Sequence, residues 1–241
     1  MANKGKYYES QFEKATIELL CEAHWQYAFG DDIHRKYTDP FIEEDLRNFL
    51  AAQYKDKNLT TSEMDSIVAN LRNTGGQNDY YALRNAFLLY RDGYDFAYSD
   101  GRYNPFRLEY IDFEHPDHNV FRCVNQFVME QGRENRRPDI LLFINGIPVC
   151  IIELKNPTKQ NATIRDAHTQ ICMRYMRDIP ALLKYCALAV ISDGAKNALG
   201  TTYTPFEFFY EWKKIENEDK AGKGLDTLRT LIRGALSPER I

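Results

Sequence analysis

The 241-residue sequence has few cysteines and no long apolar runs. A membrane helix needs about 20 apolar residues, whereas the longest runs here, Ile147–Ile152 and Cys186–Ile191, have six each. The N-terminus has no apolar stretch behind its lysines, which argues against a secretory signal. We therefore expect a cytoplasmic protein without a membrane partner.

The sequence has five cysteines, which are Cys21, Cys123, Cys150, Cys172 and Cys186. They are scattered, odd in number and never spaced as CxxC, which excludes a disulfide framework and a cysteine-rich zinc site.

The chain also lacks an excess of positive charge and a GxxxxGK[ST] phosphate-binding loop. Its net charge of −4 excludes a global basic field of the kind that attracts nucleic acid. Residues 133–177 nevertheless carry eight Lys/Arg against four acids, a net +4 that leaves −8 for the rest of the chain. A positive stripe on an acidic body suits a site that handles an anion, although a solvated face explains the charge alone equally well.

The hydrophobic periodicity predicts an α/β protein. Asn156-Pro157 should break the strand that precedes it. Helices are predicted over 7–24, 41–55, 62–72, 79–91, 162–178, 206–217 and 225–236. Strands are predicted over Phe106–Phe113, Val120–Met129, Asp139–Ile144, Ile147–Leu154 and Tyr185–Ser192.

The strongest local pattern lies in the middle of the chain. Asp139–Ile144 and Ile147–Leu154 are apolar runs separated by Asn145-Gly146, a pattern typical of a β-hairpin. Because both runs are apolar on both faces, the hairpin should be central in its sheet and covered by helices. Glu153 and Lys155 are two positions apart at the end of the second run, so their side chains should share a face.

Asp139, at the start of the first run, completes a candidate metal site. Ionisable residues at the ends of apolar strands are costly unless they are paired or bind a metal. Two carboxylates and a nearby carbonyl suit Mg²⁺, and a lysine beside them can orient a water molecule whose pKa the metal has lowered. Since the metal also screens the charge of a phosphate, the pattern indicates phosphodiester hydrolysis.

This shared site places a requirement on the register of the hairpin. A two-residue turn at Asn145-Gly146 would set Asp139 opposite Ile152 and away from Glu153. A three-residue loop would set Asp139 opposite Ile151, on the face of Glu153 and diagonal to it. We therefore predict an odd loop length or a β-bulge.

The stretch RPDILLFINGIPVCIIELKNP resembles the PD-(D/E)xK nuclease motif, in the form found in the R (restriction) subunit of type I restriction enzymes. Pro138-Asp139 matches the PD element, and Glu153-Leu154-Lys155 matches the ExK element. YYESQFEKATIELL resembles the family's opening helix, and QICMRYMRDIP, LAVISDG and TPFEFFYEWK resemble later segments. The likeness covers about residues 7–30 and 120–215.

The resemblance implies a restriction-endonuclease-like core with a central mixed β-sheet flanked by helices, over about 7–37 and 101–241, with a mainly helical insertion over about 38–100. It implies that Asp139, Glu153 and the carbonyl of Leu154 hold Mg²⁺, and that Lys155 positions the nucleophilic water. Glu13 matches an acid of the opening helix that lies near the metal. Glu9 is one turn away and could be confused with it, and a solvated helix acid is the alternative for Glu13.

Gln170 and Tyr175 match the family's Gln/Tyr motif, which is expected to contact DNA or the site. Their spacing is Gln-x₄-Tyr, whereas the commoner form has three intervening residues. On an α-helix the extra residue turns Tyr175 by about 100°. Arg174 is an alternative phosphate contact, and Tyr175 is alternatively a core aromatic residue.

Other polar residues give weaker patterns. His115 and His118 form an HxxH within EHPDHN, but this segment reads as a turn, and Pro116 argues against a helix that would align them. The pattern therefore disfavours a metal site there. His168 faces the Gln170 helix and is expected near the site, and the basic run over 133–137 either flanks the DNA path or is a solvated loop.

Taken together, the resemblance implies a Mg²⁺-dependent endonuclease domain of a bacterial or archaeal type I restriction R subunit that cuts double-stranded DNA. In the family this domain precedes an ATP-driven helicase-like motor, and methylation and specificity subunits recognise the DNA sequence. ATP would serve only the motor, which this chain lacks, so we expect the chain to be the N-terminal part of a longer subunit. The alternatives are a non-catalytic DNA-binding or subunit-docking module, or an enzyme of this fold that acts on RNA or repair intermediates.

Overall fold

The computed structural model describes residues 2–155, 163–215 and 222–241, with the backbone alone for residues 2–9. The predicted break at Asn156-Pro157 lies outside the described residues, as do the first residue of the predicted helix 162–178 and the last two of 206–217. The helices are α1 (Ala2–Glu22), α2 (Glu43–Gln53), α3 (Thr61–Arg72), α4 (Asp79–Asp92), α5 (Ile164–Thr169), α6 (Met176–Asp178), α7 (Pro180–Leu183) and α8 (Leu225–Ala235). A π-helical turn, Gln170–Tyr175, joins α5 to α6.

The strands form one six-stranded sheet and two small hairpins. The large sheet has the order β1-β4-β7-β8-β9-β10. It is mixed, because β1 runs parallel to β4 and β8 parallel to β9 while the other neighbours are antiparallel. The strands are β1 (Gln26–Phe29), β2 (Tyr94–Phe96), β3 (Phe106–Leu108), β4 (Phe121–Asn125), β5 (Met129–Gln131), β6 (Glu134–Arg136), β7 (Ile140–Ile144), β8 (Ile147–Leu154), β9 (Leu188–Ser192) and β10 (Asn197–Gly200).

The sheet separates two apolar cores, as the apolar strands predicted. Ile140, Leu142 and Ile144 of β7 face a core formed with α1 to α4 and α8. Leu141 and Phe143 face the opposite core, formed with α5, the π turn and α7. Every residue of β7 and β8 is buried. The predicted central hairpin, covered by helices on both faces, is therefore confirmed.

The hairpin combines a two-residue turn with a β-bulge. Asn145 and Gly146 both have positive φ angles, 50° and 75°, as a tight hairpin turn requires. The register shifts between Leu142 and Phe143, which leaves Val149 as the extra residue of β8. The predicted bulge is confirmed, whereas the three-residue loop is wrong, because the turn has two residues and the bulge alone corrects the register.

Several other predicted elements differ from the structure, among them the strand predicted over Tyr185–Ser192, which begins at Leu188. The strand predicted over Val120–Met129 ends at Asn125, because Gln126 adopts a left-handed conformation with φ 57°. The strand predicted over Phe106–Phe113 ends at Leu108. The helix predicted over 206–217 is wrong in its described part, which has only a 3₁₀ turn, Phe206–Phe208. Its backbone instead pairs with the sheet edge, where Leu199 and Tyr210 exchange two hydrogen bonds of 2.9 and 2.8 Å.

The described helices and thiols agree with the composition. Within the described ranges, no helix has both the length and the apolar character needed to cross a bilayer. All five cysteines are free thiols, and Cys21 alone is exposed. The segment 38–100 contains α2, α3, α4 and β2, and its status as an insertion stays a prediction.

Candidate active site

The β-bulge aligns two carboxylates at one end of the central hairpin. Ile140 pairs with Ile152, so Asp139, which precedes Ile140, lies level with Glu153. The two are directly opposite, not diagonal as predicted, because the bulge replaces the longer loop. Asp139 accepts a hydrogen bond of 2.7 Å through Oδ2 from the backbone N–H of Leu154. This bond fixes the Asp139 carboxylate against the end of β8.

Glu153 is a buried carboxylate with an incomplete set of partners. It is 1% exposed, and burial, followed by the neighbouring Asp139 carboxylate, raises its pKa to about 8. Its Oε1 accepts a hydrogen bond of 2.7 Å from Lys155. Its Oε2 is buried and has no hydrogen bond of normal geometry from the described residues, although the Tyr175 hydroxyl interacts with this carboxylate more weakly. A buried anionic oxygen of this kind requires a proton or a cation nearby.

Lys155 links this acid pair to the next helical layer. Its Nζ donates one hydrogen bond of 2.7 Å to Glu153 and another of 2.7 Å to Oε1 of Gln170. Gln170 in turn donates through Nε2 to the Tyr175 hydroxyl at 2.6 Å. Tyr175 is buried, and burial and the Glu153 carboxylate raise its pKa. The structure thus joins Glu153, Lys155, Gln170 and Tyr175 in one continuous chain of hydrogen bonds.

The π turn explains how the unusual Gln-x₄-Tyr spacing is accommodated. The rotation of about 100° predicted for Tyr175 assumed α-helical geometry, and that assumption is wrong because Gln170–Tyr175 is π-helical. A π-helix closes i→i+5 hydrogen bonds, so residues five apart return to the same face. The extra residue is therefore absorbed in the wider turn, and Gln170 and Tyr175 both face the site.

Glu13 reaches the same end of the central strands from α1. Its Oε1 accepts hydrogen bonds from Nδ2 of Asn125 at 2.6 Å and from Nε2 of Gln126 at 3.1 Å. Asn125 pairs with Ile140, the residue after Asp139, so Glu13 lies beside the start of β7. The side chain of Glu9 lies outside the described residues. Sequence reasoning missed both amides, because contacts between a helix and a neighbouring strand leave no periodic signal.

Other candidate residues are not members of this hydrogen-bonded set. His168 bonds to the carbonyl of Thr204 at 2.8 Å and packs edge-on against Phe206 and Phe209. Arg136 forms ion pairs with Glu134 and Asp178, which tie β6 to α6. Arg174 is exposed one residue before Tyr175 and is available for a phosphate from solvent.

The donor set at the end of the hairpin suits a hard divalent cation. Two carboxylates face each other on adjacent strands, and one of them has a buried oxygen without a hydrogen bond of normal geometry from the described residues. Mg²⁺ prefers such oxygen ligands, keeps several waters and needs only one or two carboxylates. The residues present therefore fit Mg²⁺, with a lysine ammonium beside them.

Comparison with known proteins relates the whole chain to one family. A sequence model described as "Type I restriction enzyme R protein N terminus" matches residues 6–208. The type I restriction enzyme HindI endonuclease subunit of Haemophilus influenzae is 28% identical over 242 residues, covering 96% of this chain and 23% of that protein. The SsaAORF53P endonuclease subunit of Staphylococcus saprophyticus is 26% identical, covering 81% of this chain and 20% of that protein.

A shorter match involves the EcoprrI endonuclease subunit of Escherichia coli, which is 32% identical over 133 residues, or 52% of this chain and 40% of that protein. The chain therefore spans about a quarter or less of the HindI and SsaAORF53P subunits, 23% and 20%.

Proposed function

The chain belongs to the family of type I restriction enzyme R protein N termini, and from this premise we propose that it is a Mg²⁺-dependent DNA endonuclease domain with a PD-(D/E)xK active site. The named relatives are endonuclease subunits of type I restriction enzymes. The observation that carries the proposal is the buried, incompletely satisfied Glu153 carboxylate, level with Asp139 and hydrogen-bonded to Lys155.

In the proposed site, Asp139, Glu153 and the carbonyl of Leu154 hold the metal. A bound Mg²⁺ would lower the pKa of a water molecule and screen the charge of a DNA phosphate. Lys155 has three N–H donors, and two of them are used by Glu153 and Gln170 among the described residues. The third is the one we assign to the attacking water, and cleavage would leave a 5′-phosphate and a 3′-hydroxyl.

Gln170, Tyr175 and Glu13 have supporting roles in this proposal. Gln170 fixes the Lys155 ammonium by accepting one of its hydrogen bonds, and Tyr175 fixes the Gln170 amide. Positioning of this kind matters because small displacements of a reacting group cost large factors in rate. Glu13 places a further carboxylate at the same end of the central strands, where two side-chain amides hold it.

The wider assembly is part of the same proposal and rests on the resemblance to R subunits. We place this domain in a cytoplasmic complex that contains methylation and specificity subunits and an ATP-driven motor on the R subunit. Phosphate contacts dominate non-specific DNA affinity, so a domain with net charge −4 depends on those partners to be held on double-stranded DNA.

The decisive experiment compares DNA cleavage by reconstituted complexes that contain the wild-type chain, Asp139→Asn, or Asp56→Asn. Asp139→Asn keeps the shape of the side chain and removes its charge, so cleavage should fall by at least about 10³-fold while ATP hydrolysis by the complex is retained. Asp56 is an exposed acid remote from the site, and its variant should cut like the wild type. Undiminished cleavage by Asp139→Asn would favour a non-catalytic module, and faster cleavage of RNA than of DNA would favour the other alternative.

A further inference from the structure

A second group of metal-binding side chains lies at the turn end of the central hairpin. Asp112, His115 and His118 each offer one ligand atom, and these atoms all lie within 4.8 Å of one another. We infer that they bind a transition-metal ion of the zinc class through one carboxylate oxygen and two imidazole nitrogens. This site is separate from the acid pair, because its loop contacts Asn145, which follows β7, whereas Asp139 precedes β7.

The distances between the ligand atoms fit a single ion. Nδ1 of His118 lies 3.0 Å from Oδ2 of Asp112, and Nδ1 of His115 lies 3.5 Å from the same oxygen. Bonds of about 2.0–2.2 Å in a tetrahedral zinc site place neighbouring ligand atoms about 3.4 Å apart. The imidazole rings are stacked, with centroids 4.9 Å and planes 21° apart, so a rotation of these exposed rings about χ2 would turn both Nδ1 atoms towards one ion.

The Asp112 carboxylate has hydrogen-bond partners on both oxygens. Its Oδ1 accepts hydrogen bonds from the backbone N–H groups of Glu114 at 3.1 Å and His115 at 2.8 Å. Its Oδ2 accepts a hydrogen bond of 3.0 Å from Nε2 of Gln53 and is hydrogen-bonded to Nδ1 of His118, also at 3.0 Å. A bound ion would take the place of the proton between Asp112 and His118, so that Oδ2 keeps Gln53 as its donor. Outer-shell hydrogen bonds of this kind orient the ligands of known metal sites.

The loop that carries the histidines is fixed before any metal binds. A 3₁₀ turn, Pro116–His118, brings the two imidazoles together, and this turn replaces the helix whose absence argued against a site in the sequence. The Asn119 amide donates to the carbonyl of Asp112 at 2.7 Å and accepts from its N–H at 2.9 Å. Asn145 donates to Asn119 at 2.8 Å, so the loop is anchored on the turn of the central hairpin.

The ligand types select the metal. Imidazole nitrogens suit Zn²⁺, Ni²⁺ and Cu²⁺, whereas Mg²⁺ takes oxygen ligands. Asp112 is 4% exposed, but the His115 and His118 side chains are 60% and 51% exposed, so a fourth coordination position is open to solvent. The bound ion would hold the loop over 112–118 in its present conformation. The sequence signal that was missed is Asp-x₂-His-x₂-His, in which the aspartate supplies the third ligand.

The inference is tested by titrating the metal-free chain with Zn²⁺ by calorimetry, and with Co²⁺ by visible absorption. In the Glu153→Gln variant, whose acid pair is disabled, we expect one Zn²⁺ per chain and a rise in Tm on binding, since a ligand that binds only the folded state stabilises it. His115→Ala and His118→Ala should each weaken Zn²⁺ binding by at least about tenfold. Their exposure makes both variants compatible with folding, so the test does not depend on replacing the buried Asp112.

Two controls separate this site from other metal-binding groups. His34→Ala removes an exposed histidine elsewhere and should leave Zn²⁺ binding unchanged. Glu153→Gln should lose only a Zn²⁺ bound at the acid pair and keep the one bound by the histidines, so the inference can hold or fail independently of the nuclease proposal. Absence of binding at 100 μM Zn²⁺, or equal binding by the wild type and the His115→Ala/His118→Ala double variant, would overturn the inference and leave the cluster as a histidine–aspartate ion pair.

Discussion

Glu153 is a carboxylate that is costly to ionise in the metal-free chain. Its carboxylate is buried and lies level with a second carboxylate, which together raise its pKa to about 8. Lys155 offsets part of this cost through a hydrogen bond of 2.7 Å. A carboxylate in such a position destabilises the fold when ionised, and a bound cation removes this cost. The residue is therefore better suited to metal binding than to stability.

When a chelator keeps the chain free of metal, we expect the free energy of unfolding to fall as pH rises, because Glu153 must then ionise in a buried position. A carboxyl whose pKa is higher in the folded state binds protons more tightly there, so the free energy of unfolding falls as pH rises from 4.5 towards 8. Glu153→Gln removes this titration. Urea unfolding at pH 5 and pH 8 should show that the wild type loses about 2 kcal/mol or more relative to the variant.

The exposed residue Glu18 provides the control for this experiment. Glu18→Gln should follow the pH dependence of the wild type, because its side chain remains in solvent. Parallel stability curves for the wild type and Glu153→Gln would show that Glu153 does not titrate in this range, contrary to the account.

The sequence predicts individual residues well where their spacing is local. Glu153 and Lys155 share a face because alternation along a strand has a period of two, and they lie in one hydrogen-bonded group. Asp112 was not recognised, because its partnership with His115 and His118 depends on a turn whose geometry no periodicity encodes. The catalytic assignment of the site residues stays a prediction.

At the scale of elements, two single-residue insertions shape the site. The bulge at Val149 shifts the register of β8 so that Glu153 lies level with Asp139. The π turn, Gln170–Tyr175, places Tyr175 within reach of Gln170. Bulges and π turns are enriched at functional sites because each redirects a side chain at modest cost.

If the π turn holds one extra residue, deleting that residue should restore a regular α-helix. Met173 is 67% exposed, and its deletion converts the wide turn to i→i+4 hydrogen bonds while the helix downstream keeps its face. We expect the Tm of this deletion variant to stay within about 3 °C of the wild type. Thermal unfolding followed by circular dichroism measures the effect.

Ser66 in α3 provides the matched deletion, because it is also exposed but lies in a regular helix. Its removal rotates the following buried residues, Ile67 and Val68, by about 100° out of the core, and should lower the Tm by about 10 °C or more. Equal losses for the two deletions would contradict the interpretation of the π turn as an insertion.

Prediction of the elements succeeded where the signal is local and failed where tertiary contacts decide. The hairpin follows from Asn145-Gly146 between apolar runs. Either a three-residue loop or a β-bulge would put Asp139 and Glu153 on the same face of the hairpin, and only the structure distinguishes the bulge from the longer loop. The aromatic segment after Pro205 has helical periodicity, but backbone pairing between Leu199 and Tyr210 holds it at the edge of the sheet.

At the scale of the whole molecule, two chemically different groups of side chains lie at opposite ends of the central hairpin. Oxygen ligands gather at the end of the hairpin that carries Asp139 and Glu153, and histidines gather near the turn at Asn145. The hydrophobic pattern predicted an α/β protein with apolar central strands, and the six-stranded mixed sheet has that character. Long-range features such as strand order could not be predicted, since they depend on pairings between residues far apart in the sequence.

The most direct test of the central claim is the anomalous scattering of Mn²⁺ soaked into crystals of the chain, with Mn²⁺ as the stand-in for Mg²⁺. The account predicts a peak between Asp139 and Glu153, about 2.0–2.3 Å from an oxygen of each carboxylate, and no such peak in crystals of Glu153→Gln. A wild-type map without density between these two side chains, or with carboxylates turned away from each other, would contradict the claim that they hold one hard cation.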